Sequence, residues 1–122
     1  MDDIKNHPTT STIGSICVYC GASDNVNAIY IRLAEALGRE LAGRGIRLVY
    51  GGGGVGLMGA CARAANGAGG DVLGIMPRFL LQKERIFMDV EHRIVEDMHT
   101  RKMMMFEEAD AFIVLPGGIG TL

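Results

Sequence analysis

The feature that most limits the fold of this 122-residue chain is the placement of its 18 glycines. One cluster lies within residues 51–59 and a second within residues 117–120, and each directly follows a run of apolar residues. Glycine costs backbone entropy inside helices and strands, so clusters belong at tight turns or where the backbone approaches a ligand closely. The two clusters therefore indicate special turns at the ends of two buried strands.

Strand-like and helix-like segments alternate along the rest of the chain. Short apolar runs predict strands at residues 15–21, 46–50, 71–76, 91–96 and 111–115. Periodic or small-residue stretches predict three helices: one with Ile29, Leu33, Ala36, Leu37 and Leu41 at helical spacing, one at 55–70, and one at 98–109 that Asp97 caps. The alternation predicts an α/β fold, a doubly wound parallel sheet with helices on both faces.

The N-terminus and the overall composition narrow the class of protein. Residues 1–12 lack periodicity and predict a flexible tail, which leaves residues 13–122 as one domain. A formal net charge of −2 gives no basic surface for nucleic acid, and no apolar run is long enough for a membrane span or a signal peptide. Three cysteines, an odd number, indicate reduced thiols rather than a disulfide framework. We therefore expect a cytoplasmic protein that binds neither nucleic acid nor a membrane.

The glycine clusters also indicate the kind of ligand. In parallel sheets, ligands bind beyond the carboxyl ends of the strands, where small residues let backbone N–H groups face an anion such as phosphate. The alternative is that the glycines serve only as tight turns. Residues 54–59 fit the G-x-G-x-x-G dinucleotide pattern, but the following predicted strand ends in Met76 and Pro77 instead of a ribose-binding acid. Neither cluster carries the Lys-Ser/Thr pair of a P-loop, so a mononucleotide fits better.

Five motifs together resemble those of the LONELY GUY family: "VYCGAS", "LVYGGGGVGLMG", "GIMP", "MHTRK" and "DAFIVLPGGIGTL". The similarity runs from about Ser15 to Leu122, with the motifs in the family's order and spacing. It implies a Rossmann-like fold, a homodimer and no metal or other cofactor. The implied activity is that of a cytokinin riboside 5'-monophosphate phosphoribohydrolase, which cleaves the N-glycosidic bond of a nucleoside 5'-monophosphate to free base and ribose 5-phosphate. Members have also been labelled lysine decarboxylases.

The resemblance also implies roles for individual residues. Arg101 matches the catalytic cation and Lys102 its neighbour in the substrate-binding pair, while Glu84 matches a family carboxylate. Met98 shares a helical face with Arg101 and Met105, where an apolar base could rest. The phosphate-binding turn is matched by Gly117, Gly118, Gly120 and Thr121. The remaining residues expected to bind substrate are Ser23, Gly52, Gly53, Ile119 and Leu122.

One position departs from the family pattern. The family motif is PGGxGTxxE, and its glutamate would fall two positions after Leu122. That glutamate is the family's catalytic carboxylate, suited to stabilise an oxocarbenium-like centre or to activate water. We therefore expect a chain truncated after the PGGxGT loop, in which the C-terminal part of the fold is absent and residues 1–122 alone are inactive.

Other interpretations stay open at this stage. A non-catalytic nucleotide-binding module would need the same fold, whereas a decarboxylase would need pyridoxal phosphate on Lys5, Lys83 or Lys102, which have no recognisable cofactor setting. Taken alone, Arg101 reads as a solvated helix charge and residues 103–105 as core. The spacing of Cys17 and Cys20 and the surroundings of His92 and His99 predict no metal site. A solvated helix end is predicted for Glu107, Glu108 and Asp110.

Overall fold

The computed structural model describes residues 13–19, 28–54, 56–81 and 89–115. Strands and helices alternate within these ranges, which confirms the predicted α/β pattern. The strands are β1 (Ser15–Tyr19), β2 (Arg47–Tyr50), β3 (Val72–Pro77), β4 (Glu91–Val95) and β5 (Ala111–Val114). The helices are α1 (Ala28–Gly43), α2 (Gly56–Gly67) and α3 (Met98–Glu108), and a 3₁₀ turn at Arg78–Leu80 follows β3. The predicted N-terminal tail, residues 1–12, lies outside the described residues.

The five strands form one parallel sheet in the order β4-β3-β2-β1-β5. The chain winds outward from β1 to β4 and then returns through α3 to place β5 on the other side of β1. Just past the paired strands, the Leu115 backbone N–H donates to the Tyr19 carbonyl at 2.8 Å. The sheet is therefore doubly wound, and its winding reverses between β1 and β5, where open α/β sheets bind ligands.

Helices cover both faces of the sheet, as the alternation predicts. On one face, α1 and α2 pack on each other and on alternate strand residues such as Val18, Leu48 and Tyr50. On the other face, α3 covers residues of opposite parity, among them Cys17 and Ile75. The period of two along each strand sends successive side chains to the two cores.

The packing of α1 differs from the face that its apolar spacing indicates. Ile29 and Leu33 are 52% and 51% exposed, whereas the buried residues of the helix are Ala34, Gly38 and Leu41. Close contact with α2 explains the difference, because a Cβ on Gly38 would lie 2.3 Å from the Cys61 carbonyl oxygen. Small residues thus decide which side of α1 packs, and larger apolar side chains remain on its outer side.

The last strand, β5, is only partly buried, whereas the sequence predicts a buried strand. Phe112 and Val114 are 41% and 56% exposed, while Ala111 and Ile113 pack partly against the core on the other face. In the part of the chain that the structure describes, β5 pairs with β1 alone and α3 lies mainly over β1 to β4. Phe106 of α3 stacks on Phe112 with ring centroids 5.9 Å apart, which covers that side chain only partly.

An ion-pair network at the amino edge of the sheet corrects the prediction for Glu108. Arg47 lies 3.2 Å from Asp71, 3.0 Å from Glu91 and 3.3 Å from Glu108. Arg93 lies 2.7 Å from the other carboxylate oxygen of Glu108. Glu108 is therefore half-buried between two arginines instead of being solvated, and it ties the end of α3 to β2 and β4.

Asp110 is exposed, as predicted, and it also contacts the backbone at the start of β1. Its carboxylate accepts hydrogen bonds from the backbone N–H groups of Gly14 at 2.7 Å and Ser15 at 3.2 Å. These bonds satisfy backbone donors at the start of β1. Glu107 is exposed, as predicted.

Candidate functional site

The candidate site lies at the carboxyl edge of the sheet, where α3 begins. Asp97 has an extended backbone, and its carboxylate accepts from the Thr100 N–H at 2.7 Å, which confirms the predicted N-cap. That hydrogen bond lowers the pKa of Asp97 below its usual range. The cap fixes where the helix starts, so Arg101 enters on its first turn, beside the ends of β2 and β3.

The Arg101 guanidinium bridges these two strand ends. Its Nε donates to the Ile75 carbonyl oxygen of β3 at 3.0 Å, and its Nη2 donates to the carbonyl oxygen of Gly51, the residue after β2. Its Nη1 lies 3.7 Å from the Met98 sulfur. The half-buried side chain is therefore anchored, and the alternative interpretation of Arg101 as a solvated helix charge is wrong.

Gly51 leaves the space that this arrangement needs. A Cβ built on Gly51 would lie 2.1 Å from Nη2 of Arg101, and Gly51 is not among the glycines with positive φ. Sequence reasoning missed Gly51 and Ile75 as site residues. The run of four glycines drew attention to the right segment, but a main-chain carbonyl acceptor such as that of Ile75 leaves no mark on a sequence.

Gly52 continues this segment in a conformation that favours glycine. Its φ is +89°, and its carbonyl oxygen lies 3.4 Å from Nε2 of His92, whose Nδ1 lies 3.0 Å from the Val90 carbonyl oxygen. The ring fits against the sheet because a Cβ on Gly74 would lie 2.7 Å from its Cδ2. His92, a third residue that sequence reasoning missed, thus contacts and supports the buried Gly52–Gly53 segment.

The other residues of α3 for which the sequence predicts a role differ in their exposure to solvent. Met98 is exposed beside the guanidinium, as its predicted face requires. Met105 shares that face but is buried in the core, which leaves Met98 as the methionine that could contact a ligand near Arg101. Of the methionines predicted to be core, Met104 is half-buried and Met103 is exposed. Lys102 is exposed to solvent.

The end of β1 provides two further groups within the electrostatic reach of Arg101. Burial raises the pKa of the Cys17 thiol to about 11, against a hydrogen bond with Tyr19 and the charge of Arg101, which both lower it. Partial burial, reinforced by Cys17, raises the pKa of Tyr19, and Arg101 opposes that shift. Cys17 is therefore a protonated core thiol at neutral pH rather than a nucleophile.

Several predicted site residues lie outside the described residues. They are Ser23, Glu84 and the whole of the second glycine cluster with its neighbours, Gly117, Gly118, Ile119, Gly120, Thr121 and Leu122. The structure brings together Gly52, Gly53, Met98 and Arg101 of the predicted set. Within the described ranges, no group of three or more His, Cys, Asp or Glu side chains could hold a metal ion. None of the helices described is long and apolar enough to cross a membrane.

Comparison with known proteins identifies the family. A family model described as "Possible lysine decarboxylase" matches residues 58–122, which include most of α2, Arg101 and the second glycine cluster. The chain belongs to this family, which is the LONELY GUY family. A "probable cytokinin riboside 5'-monophosphate phosphoribohydrolase" of Oryza sativa subsp. japonica is 50% identical over 115 residues, covering 93% of this chain and 47% of the relative. A cytokinin riboside 5'-monophosphate phosphoribohydrolase of Arabidopsis thaliana is 48% identical over 113 residues, covering 92% and 53%.

This LONELY GUY chain thus spans about half the length of the curated relatives it matches. Its fold also resembles that of solved structures. The molybdenum cofactor carrier protein of Chlamydomonas reinhardtii matches with a TM-score of 0.74 at 22% identity, over 88% of this chain and 65% of that protein. The molybdenum cofactor binding protein of Rippkaea orientalis matches with a TM-score of 0.73 at 23% identity, over 92% and 68%. These likenesses show the fold alone.

The raised pKa of Cys17 predicts how stability depends on alkaline pH. The folded state keeps this proton from its ordinary pKa of 9.0 up to about 11, whereas the unfolded chain loses it near the lower value. The free energy of unfolding should therefore lose this contribution as pH rises through that interval, and keep it in full below the interval. The free energy of unfolding of the Cys17→Ala variant should fall less steeply over that pH interval. Urea unfolding at several pH values in that range measures how steeply the free energy of unfolding falls with pH. Met105→Leu, a substitution of another buried residue that does not titrate, is the control. Equal slopes for Cys17→Ala and wild type would contradict the raised pKa of Cys17.

Proposed function

We propose that the full-length protein hydrolyses the N-glycosidic bond of a nucleoside 5'-monophosphate to a free base and ribose 5-phosphate. The observation that carries this proposal is the anchored Arg101 guanidinium at the carboxyl edge of β2 and β3. It supports the proposal because the matching relatives bear the names of phosphoribohydrolases and because ligands of doubly wound sheets bind at this edge.

The chemistry requires groups that stabilise charge as the bond to the base breaks. The ribosyl carbon becomes oxocarbenium-like and the departing base gains electron density, while a water molecule adds to the sugar. In our proposal, Arg101 donates hydrogen bonds toward this developing negative charge, and Met98 lies against the flat face of the base. A guanidinium already held by two carbonyls needs little reorganisation during the reaction.

The remaining roles rest on the family resemblance. We assign the 5'-phosphate to the backbone N–H groups of Gly117, Gly118 and Gly120 and to the Thr121 hydroxyl, and we assign Ile119 and Leu122 to the same substrate-binding segment. The loops that face the substrate contain Ser23, Gly52 and Gly53. Lys102 adds positive charge near the phosphate, and Glu84 supplies a carboxylate. No metal or other cofactor takes part in this scheme.

The dependence on the phosphate group tests the proposed function. Adenosine 5'-monophosphate should be cleaved with a kcat/KM at least about 100-fold above that of adenosine, because two charge-assisted hydrogen bonds of about 1.5 kcal/mol each give that factor. The assay is chromatography of released adenine with the full-length protein.

A matched variant separates phosphate binding from catalysis. Thr121→Val removes one hydroxyl donor with little change in shape, so it should reduce kcat/KM for adenosine 5'-monophosphate and leave that for adenosine unchanged. Equal cleavage of nucleotide and nucleoside would overturn the role of the second glycine cluster. Absence of adenine release from both substrates, and from prenylated adenosine 5'-monophosphate, would overturn the proposed activity.

Substitutions at neighbouring positions of α3 test the role of Arg101. Arg101→Ala should lower kcat/KM by roughly 100-fold or more, the usual cost of removing a preorganised donor from a developing charge. Lys102→Ala should cost less, because its exposed ammonium is a mobile point charge. The reverse ranking, at unchanged thermal stability of both variants, would remove Arg101 from the catalytic role.

We also propose that the protein is a homodimer, supported by the outer side of α1. Ile29, Tyr30 and Leu33 form an exposed apolar stripe there, 52%, 36% and 51% exposed. Light scattering should give twice the polypeptide mass, and Leu33→Glu should give a monomer because a charge in an apolar interface is poorly solvated. Ala68→Glu, which adds the same charge at another exposed position, is the control. A monomeric wild-type protein would contradict this proposal.

A further inference from the structure

The geometry around Gly51 points to a residue that acts on the reaction without touching the substrate. Among the described residues, the backbone carbonyls of Gly51 and Ile75 anchor Arg101, and the nearer one belongs to Gly51. The atoms that a Cβ on Gly51 would meet are Nη2 of Arg101 at 2.1 Å, Cζ of Arg101 at 3.1 Å and the Met58 sulfur at 3.5 Å. Even a methyl group at position 51 would therefore collide with the guanidinium of Arg101.

The backbone of Gly51 gives no separate reason for glycine. Positive φ values occur at Gly45, Gly52, Gly56 and Gly69 among the described residues, and Gly51 does not share them. Alanine can therefore adopt the main-chain conformation of position 51. The guanidinium lies at the far end of a flexible side chain, so it can move away from a new methyl group while the sheet stays intact.

We propose that Gly51 is a positioning residue: its missing side chain and its carbonyl oxygen fix the place of the Arg101 guanidinium. The Gly51 carbonyl oxygen accepts from Nη2, and the Ile75 carbonyl oxygen accepts from Nε. Because both donors lie in the rigid plane of the guanidinium, these two bonds define the orientation of the whole guanidinium. Gly52 and Gly53 are the residues expected at the substrate, whereas Gly51 acts behind the cation. The catalytic part of this inference rests on the proposed function, and the structural part does not.

Gly51→Ala in the full-length protein tests both parts. We expect kcat for adenosine 5'-monophosphate to fall by roughly 100-fold, the scale found when a catalytic group is misplaced by about 1 Å, with a much smaller change in KM. In an Arg101→Lys background, which lacks Nη2, the same glycine substitution should change kcat by less than about twofold. If Gly51 acted independently of Arg101, the two effects on kcat would multiply; if it acts through Arg101, they do not.

A structural readout keeps this inference separate from the proposed function. In wild type, the Nε–H of Arg101, identified in NMR spectra by its loss in Arg101→Lys, should exchange slowly with solvent because it is bonded to the Ile75 carbonyl. In Gly51→Ala it should exchange rapidly. Gly67→Ala is the matched control, since a Cβ there would meet no atom within 4 Å, and both its kcat and its Nε–H exchange should equal those of wild type.

Each other outcome decides against the inference. An equal loss of kcat in both backgrounds would show that Gly51 acts independently of Arg101, and a slowly exchanging Nε–H in Gly51→Ala would show that the anchor survives a side chain. If Gly51→Ala fails to fold, the inference requires Gly51→Ala/Arg101→Lys to fold; failure of both would overturn it. A wild type that releases no base would contradict the proposed function while the exchange measurement still decides the role of Gly51.

Discussion

The pair of hydrogen bonds from Arg101 to the carbonyl groups of Gly51 and Ile75 is the interaction on which the site depends. Hydrogen bonds to a charged group contribute about 1.5–3 kcal/mol each, enough to hold a long, flexible side chain in one orientation. The bonds exist because β2 ends at Tyr50 while β3 continues beside it, so that α3 places Arg101 against the carbonyl groups of Gly51 and Ile75. They convert a surface-type residue on a helix into a fixed positive charge over the sheet edge.

The rest of the fold serves to bring α3 to this edge. The Asp97 cap sets the first turn of α3 beside β2 and β3, and Met105 anchors the helix in the core one turn further along. At the opposite end, Glu108 is held by Arg47 and Arg93. Both ends of a helix of only three turns are thus tied down, which restricts the movement of Arg101. The winding of the sheet reverses between β1 and β5, next to these strands.

Much of this architecture could be predicted from the sequence, because local pattern and fold agree. The alternation of apolar runs and helical stretches predicted the parallel sheet, and Asp97 was predicted correctly as the N-cap residue of α3. Predictions failed where a distant partner decided the outcome. Gly38 turned α1 toward α2, so Ile29 and Leu33 face outward although they have helical spacing. Glu108 was predicted as a solvated helix end, but Arg47 and Arg93 hold it half-buried.

The same distinction holds for the site. Arg101 could be proposed as a site residue from the sequence because it lies in a motif that resembles a known family, and because its chemistry belongs to its side chain. Gly51 and Ile75 were not, because they act through carbonyl oxygens and through the absence of a Cβ, and such roles emerge only when strands and helix are assembled. His92 was missed for a related reason: its partners are the carbonyl groups of Gly52 and Val90 rather than another polar side chain.

The central claim is that a preorganised Arg101 faces the substrate from the carboxyl edge of β2 and β3. A crystal structure of the full-length protein with adenosine 5'-monophosphate tests it most directly. The nucleotide should lie at this edge with a guanidinium nitrogen within hydrogen-bonding distance of it, while Nε and Nη2 keep their bonds to Ile75 and Gly51. A nucleotide bound elsewhere, or an Arg101 that must leave both carbonyls to reach it, would contradict the claim.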